Sequence, residues 1–181
     1  MCKVCKHLII TFIILFPVLI WSQTAEKSVW QPFDYFVGTW VGHETGRPGI
    51  GKGERTYEYI MDGRYLYFRN ISKFEPQEKN PEGEVHEDWT FYSYDSNRDI
   101  IVMRQFNIEG FVNRFTLDSL STDNKVFVFV SESSENAPPG LRARMTYTIR
   151  DDDEFEEVFE LAFPGGTYSV YLKNFWKRKG E

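Results

Sequence analysis

Most of the chain after residue 22 alternates apolar and polar positions with a period of two, which is the pattern of half-buried strands. The pattern predicts ten strands, near residues 38–44, 53–61, 64–72, 86–95, 99–106, 111–119, 125–132, 141–150, 154–162 and 166–178. Turn residues separate them, and Asp62-Gly63 is a strong signal for a two-residue hairpin. Only 42–53 and 73–84 are predicted to be longer loops, and no stretch has the period of an ordinary amphipathic helix.

Ten consecutive strands with short connections predict an all-β, up-and-down antiparallel meander. An open sheet of that size would leave long unpaired edges, and closure into a barrel removes them. We therefore expect a closed, calycin-like antiparallel β-barrel of about ten strands, with a two-sheet sandwich as the alternative. The parity of each strand stays open, because Val126, Val128 and Val130 share one face while Phe127 and Phe129 occupy the other.

The first 22 residues have a different pattern. Lys3 and Lys6 precede the apolar run Leu8 to Ile20, and Ser22 then leads into polar residues. Positive charge, apolar run and small residue in that order are typical of a secretory signal peptide, with a retained N-terminal anchor as the alternative. We expect a signal peptide over 1–22, an N-terminal lead over 23–31 and a barrel domain over 32–181, in a periplasmic or secreted protein.

Removal of the signal peptide changes both the cysteine count and the charge. Cys2 and Cys5 are the two cysteines, so the mature chain would have no disulfide and no thiolate metal site. Losing Lys3 and Lys6 and no acidic residue takes the net charge from -6 to -8. That charge argues against nucleic acid and against anionic membrane surfaces. We expect a small-molecule partner and no stable membrane insertion.

No motif predicts catalysis or a metal site. Residues 46–53 approach a phosphate-binding loop, but Gly53 stands where Ser or Thr is needed. Residues 151–154 approach a calcium loop that Phe155 interrupts. His43 and His86 lack metal-ligand spacing, and there is no Gly-x-Ser-x-Gly elbow. We predict no catalytic and no metal-binding residue, although the abundant carboxylates leave an acid–base pair open.

Two stretches carry a family resemblance. Residues 32–40, Pro-Phe-Asp-Tyr-Phe-Val-Gly-Thr-Trp, resemble the opening of the calycin barrels, in which a helical turn precedes Gly-x-Trp in the first strand. Residues 171–178 resemble their last strand, rich in aromatics and cations. The resemblance implies a structural signature of Gly38, Trp40 and Arg178, with Arg178 or Lys177 covering the Trp40 ring.

The chain is most similar in layout to bacterial lipocalin-like and nitrobindin-like barrels, a largely uncharacterised group. Nitrobindin-like barrels hold heme through a histidine on a late strand, and this chain has no histidine after His86. We therefore predict no cofactor, and heme stays open only through a ligand that the family does not use.

The first functional hypothesis is a barrel that sequesters or carries a small apolar or amphipathic molecule. An enzyme of isomerase or hydrolase type acting on such a ligand is the second, and an envelope interaction protein with a filled barrel is the third. The barrel hypothesis needs polar groups in the lumen. The ligand-binding candidates, chosen on strand parity, are Tyr67, Arg104, Arg114, Arg144, Tyr147 and Glu160.

The signal peptide makes a direct prediction. The mature protein should begin near Gln23 and contain no thiol, because cleavage after Ser22 removes Cys2 and Cys5. Intact-mass measurement of the protein from fractionated cells, with a thiol titration, checks both. A mass that retains residues 1–22 in the envelope fraction would instead support the anchor.

Overall fold

The computed structural model describes residues 29–180, so the expected signal peptide and most of the expected lead lie outside the described residues. Ten strands form, and a 3₁₀ helix, Gln31–Phe36, precedes them. The strands are β1 (Gly38–Gly46), β2 (Gly49–Ile60), β3 (Tyr65–Phe74), β4 (Glu84–Asp95), β5 (Ile100–Asn107), β6 (Val112–Leu120), β7 (Val126–Glu135), β8 (Arg142–Ile149), β9 (Glu154–Ala162) and β10 (Ser169–Arg178).

The strands close into a single antiparallel barrel. Each strand pairs with its neighbour in sequence, and β1 pairs with β10 to complete the ring. The predicted fold class is therefore confirmed, and the sandwich alternative is wrong because the β1–β10 pairing leaves no sheet edge. Within residues 29–180, no helix has the length and apolarity needed to cross a membrane.

The loop predicted over 42–53 is instead a tight hairpin. β1 continues to Gly46 and β2 begins at Gly49, so only Arg47 and Pro48 lie between the strands. The glycines that suggested a loop are strand residues without side chains at crowded positions. A Cβ on Gly42 or Gly53 would lie within 3 Å of the Trp176 side chain, and one on Gly51 within 3 Å of Phe74.

The 3₁₀ helix closes one end of the barrel. Phe33 and Phe36 are buried, and the Phe36 ring centroid lies 5.3 Å from those of both Phe127 and Phe155 in edge-on contacts. The end of the barrel beside the helix is therefore a packed aromatic core. Its members from the strands include Trp40, Tyr57, Leu66, Phe68, Tyr92, Met103, Phe115, Phe129, Tyr147 and Trp176.

Arg178 joins the helix to the barrel seam. Its guanidinium lies 4.2 Å from the centroid of Trp40, its partner across β1 and β10, and donates hydrogen bonds to the carbonyls of Val37 (2.9 Å) and Tyr35 (2.7 Å). Gly38 has φ +119°, a conformation that side chains rarely adopt, and a Cβ there would lie 3.2 Å from Arg178 Nη1. The expected cation is thus placed over the expected tryptophan.

We predict that Arg178→Met lowers the free energy of unfolding by about 2–4 kcal/mol, because it removes a cation–π contact and two hydrogen bonds to carbonyls. Lys177→Met is the matched control, since Lys177 is exposed and its ion pair with Glu154 lies at the surface. Denaturant unfolding of both variants measures the difference. Equal effects of the two substitutions would contradict a special role for Arg178.

Candidate ligand-binding cavity

The half of the barrel away from the 3₁₀ helix is hollow. A cavity of about 440 Å³ lies there, and its mouth is bordered by the exposed residues Glu84, Glu109 and Pro138. Its wall is divided by chemistry. The apolar side comes mainly from β8, β9 and β10, with the residues Ala143, Met145, Phe159, Leu161 and Leu172. The polar side comes mainly from β1 to β6, with the residues Glu44, Arg55, Asn70, His86, Asp88, Gln105 and Asn113.

A buried ion pair forms the floor of this cavity. Arg55 Nη2 lies 3.0 Å from Glu157 Oε2, and both side chains are almost fully buried. The guanidinium of Arg55 lies between the rings of Phe68 (4.5 Å) and Trp176 (4.3 Å). Burial acts most strongly on the guanidinium and lowers its pKa, but the combined attraction of Glu157, Tyr57, Tyr147 and Asp88 outweighs burial, so the pKa of Arg55 is raised. The pair lies at the boundary between the packed half and the hollow half of the barrel.

Asp88 organises the polar wall beside the ion pair. It accepts hydrogen bonds from Asn70 Nδ2 (3.1 Å) and Gln105 Nε2 (3.2 Å), and it lies 3.5 Å from His86 Nε2. Asn70 also accepts from Arg55 Nε at 3.3 Å, which connects this network to the floor. The polar side chains of β2, β3, β4 and β5 are thus fixed by one another.

His86 lies nearer the mouth, between two carboxylates. Its Nδ1 is 2.7 Å from Glu109 Oε1 and its Nε2 faces Asp88. Burial opposes the charge on the imidazole, yet the bonds to Asp88 and Glu109 outweigh it and raise the pKa of His86 to about 9. Ligand atoms of Glu84, His86 and Glu109 lie within 4.8 Å of one another and could hold a divalent metal, which would have to displace the imidazolium proton.

Glu44 and Asn174 lie opposite each other on β1 and β10, and both line the cavity. Glu44 accepts a hydrogen bond from Ser72, and burial raises the pKa of its carboxyl group. Asn174 Nδ2 donates to Glu157 Oε2 at 3.1 Å, whereas the buried Oδ1 of Asn174 has no hydrogen-bond partner among the described residues.

Five of the six candidates chosen from the sequence lie on the outer face of the barrel. Tyr67 lies between the inward-facing Leu66 and Phe68, so its ring points outward and contacts Trp89 and Phe91 on the surface. The inward orientation expected for it is wrong because β3 carries aromatic residues on both faces.

The other four outward candidates are polar and have polar partners outside the lumen. Arg104 donates to Ser93 Oγ at 2.7 Å, and Arg114 pairs with Glu132 at 3.1 Å. Arg144 and Glu160 form a two-point ion pair of 2.6 and 2.8 Å on the outside of β8 and β9. The expected inward parity is wrong for these residues too, since an ion pair in partial contact with water keeps its charges solvated.

Tyr147 alone of the six faces inward, and it belongs to the aromatic core. Its ring contacts Phe36 (5.7 Å) and Phe129 (6.1 Å), and its hydroxyl lies 3.5 Å from that of Tyr92. Three polar residues of the cavity share a strand face with aromatic residues of the core, but the sequence alone does not show which face points inward. Arg55, Glu157 and Asn174 each lie two positions from an inward aromatic residue.

Comparison with known proteins supports the fold. No family model and no curated protein sequence matches the chain. The crystal structure of Rv2717c from M. tuberculosis matches with a TM-score of 0.64 and 15% identity, over 84% of this chain and 98% of that one. The structure of EF1p2_mFAP2b bound to DFHBI matches with a TM-score of 0.45 and 10% identity, over 83% of this chain and 99% of that one. A de novo designed fluorescence-activating β-barrel matches with a TM-score of 0.31 and 15% identity, over 81% of this chain and 95% of that one. At these identities the likeness concerns the barrel alone, and the finer resemblance to lipocalin-like and nitrobindin-like barrels stays a prediction.

The position of His86 predicts a pH-dependent contribution to stability. A rise of its pKa from 6.5 to about 9 corresponds to about 3 kcal/mol. Since the folded state holds the proton more tightly, this contribution is complete below about pH 6.5 and is lost as pH rises through about 9. The unfolding free energies of the unaltered chain and of His86→Gln should therefore differ at about pH 6 and converge at about pH 10. A constant difference would contradict the ion-paired imidazolium.

Proposed function

We propose that this protein binds a small amphipathic molecule inside the open half of its barrel. The observation that carries the proposal is the divided cavity of about 440 Å³, with an apolar wall on β8 to β10 and a hydrogen-bonding wall on β1 to β6. Small-molecule sites commonly have volumes of about 300–1,000 Å³ and combine apolar surface with a few polar groups.

The ion pairs and hydrogen bonds that the polar groups of the cavity make with one another favour binding over catalysis. The enzyme alternative requires titratable groups that face each other, and Asp88 and His86 do so. Both nitrogens of His86 are engaged by carboxylates, and Asp88 already receives donors from β3 and β5. A general acid or base must exchange a proton with a substrate, and groups held in ion pairs with one another have less freedom to do so.

The open half of the barrel also favours binding over a filled interaction module. A barrel that acted only through its surface would gain stability from apolar side chains in place of the buried Arg55–Glu157 pair. We also propose that the protein acts outside the cytoplasm. The predicted signal peptide supports this location, and so does the mature sequence, which would contain no thiol to oxidise.

A cavity-filling substitution tests the proposal. Leu161→Trp places a larger side chain on the apolar wall and should lower the affinity for the neutral dye Nile red by about tenfold, because the volume for the dye decreases. Val170→Trp on the exposed side of β10 is the control and should leave the affinity unchanged. Fluorescence titration gives the affinities, and thermal unfolding checks that both variants fold. Absence of Nile red binding to the unaltered chain, or equal affinities in all three proteins, would contradict the proposal.

A further inference from the structure

The charges around the cavity are unequal. The lining carries the carboxyl groups of five residues, Glu44, Glu84, Asp88, Glu109 and Glu157, and only two groups that can be cationic, those of Arg55 and His86. An anionic ligand would enter this surplus of negative charge at an energetic cost, and a cationic one would be attracted.

Both cations of the lining are already engaged by groups of the protein. Arg55 contacts the rings of Phe68 and Trp176, and it donates to Glu157, Asn70 and the Tyr57 hydroxyl. His86 is held between Asp88 and Glu109. Most donors of the positive groups that could have recognised a carboxylate or phosphate are therefore bonded to the protein's own acceptors.

The side-chain amides of Asn70 and Asn174 also donate hydrogen bonds to the protein's own acceptors. Asn70 Nδ2 donates to both Ser72 and Asp88, and Asn174 Nδ2 donates to Glu157. The acceptor Asn174 Oδ1, by contrast, is buried and has no partner within residues 29–180, and Asn174 is one of the residues that line the cavity. A buried polar atom without a partner costs about 1–3 kcal/mol, so a ligand that brings a donor would recover part of that cost.

The unpartnered oxygen lies beside an acidic group without an ion pair. Glu44 is the cross-strand partner of Asn174, and on the other side of Asn174 lies Glu157. Directly opposed residues have Cβ atoms about 4.5–5.5 Å apart, so the three side chains form a row of acceptors. Burial raises the pKa of Glu44, and no basic side chain of the described residues lies within ion-pair distance of it.

An apolar surface continues from this row toward the mouth. Leu172 lies two positions before Asn174 on β10, and its partner Phe159 lies two positions after Glu157 on β9, so both are on the same inward faces. We infer that the ligand is an organic cation, whose nitrogen donors bind Glu44 and Asn174 and whose apolar body packs on Phe159 and Leu172. This inference rests on the proposed function.

The experiment compares two probes with the same tail and opposite charge. Octylammonium and octanoate are titrated calorimetrically into the full chain at neutral pH, and each is tested for displacement of Nile red. We expect octylammonium to bind at least about tenfold more tightly than octanoate and to displace the dye. Glu44→Gln should weaken octylammonium binding about tenfold without weakening octanoate binding, because the substitution removes charge and keeps shape.

Glu58→Gln is the matched control, since it makes the same charge change on the exposed side of β2 and should leave both affinities unchanged. Equal or tighter binding of octanoate, or failure of octylammonium to displace bound Nile red, would overturn the inference and leave the proposed function intact. Failure of Nile red and both probes to bind would overturn the function itself. If Glu44→Gln does not fold, the comparison of the two probes on the unaltered chain decides the matter alone.

Discussion

The buried ion pair of Arg55 and Glu157 divides the barrel into two halves with different chemistry. Moving two charges out of water costs several kcal/mol per ion, so the pair persists only where further contacts offset that cost. Phe68 and Trp176 cover the guanidinium, while Trp176 Nε1 and Asn174 Nδ2 donate to the same oxygen of Glu157. On the side of the pair toward the 3₁₀ helix, the lumen is filled with aromatic rings. On the side toward the cavity mouth, the wall must stay polar enough to offer hydrogen-bond partners to the other buried polar side chains.

Glycines of β1 and β2 leave the space that the ring covering Arg55 occupies. A large indole can cover Arg55 only if the strands opposite it leave space, and a Cβ at Gly42 or Gly53 would overlap the Trp176 ring. The packing of one bulky residue thus explains a glycine on each of two strands, while Phe74 explains Gly51 in the same way. The cavity takes most of its polar side chains from β1 to β6 and most of its apolar ones from β8 to β10.

Strand number, closure and the opening and closing motifs were accessible from the sequence, because period-two alternation and turn residues depend on local chemistry alone. The lining of the cavity was not accessible, since it depends on parity, and several strands carry aromatic residues on both faces. Tyr67 and Phe68 illustrate this ambiguity, as adjacent aromatic residues of which only Phe68 faces the core. The hairpin of residues 42–53 was missed for a related reason. Glycine is typical of loops, and its requirement at Gly53 becomes visible only once the pairing of β10 with β1 places Trp176 beside it.

Affinity and selectivity have separate origins in a cavity with divided walls. The apolar wall favours any ligand that buries hydrocarbon, at roughly 25 cal/mol per Å² of surface removed from water, and it discriminates poorly among tails. The polar wall adds less net energy, because a ligand head group must replace water that already satisfies accessible acceptors. It nevertheless penalises a wrong head group strongly, since a carboxylate beside Glu44 and Glu157 would find acceptors where it needs donors. In the proposed complex the acceptor row would therefore act chiefly as a filter on the head group, while Phe159, Leu161 and Leu172 would supply most of the binding energy.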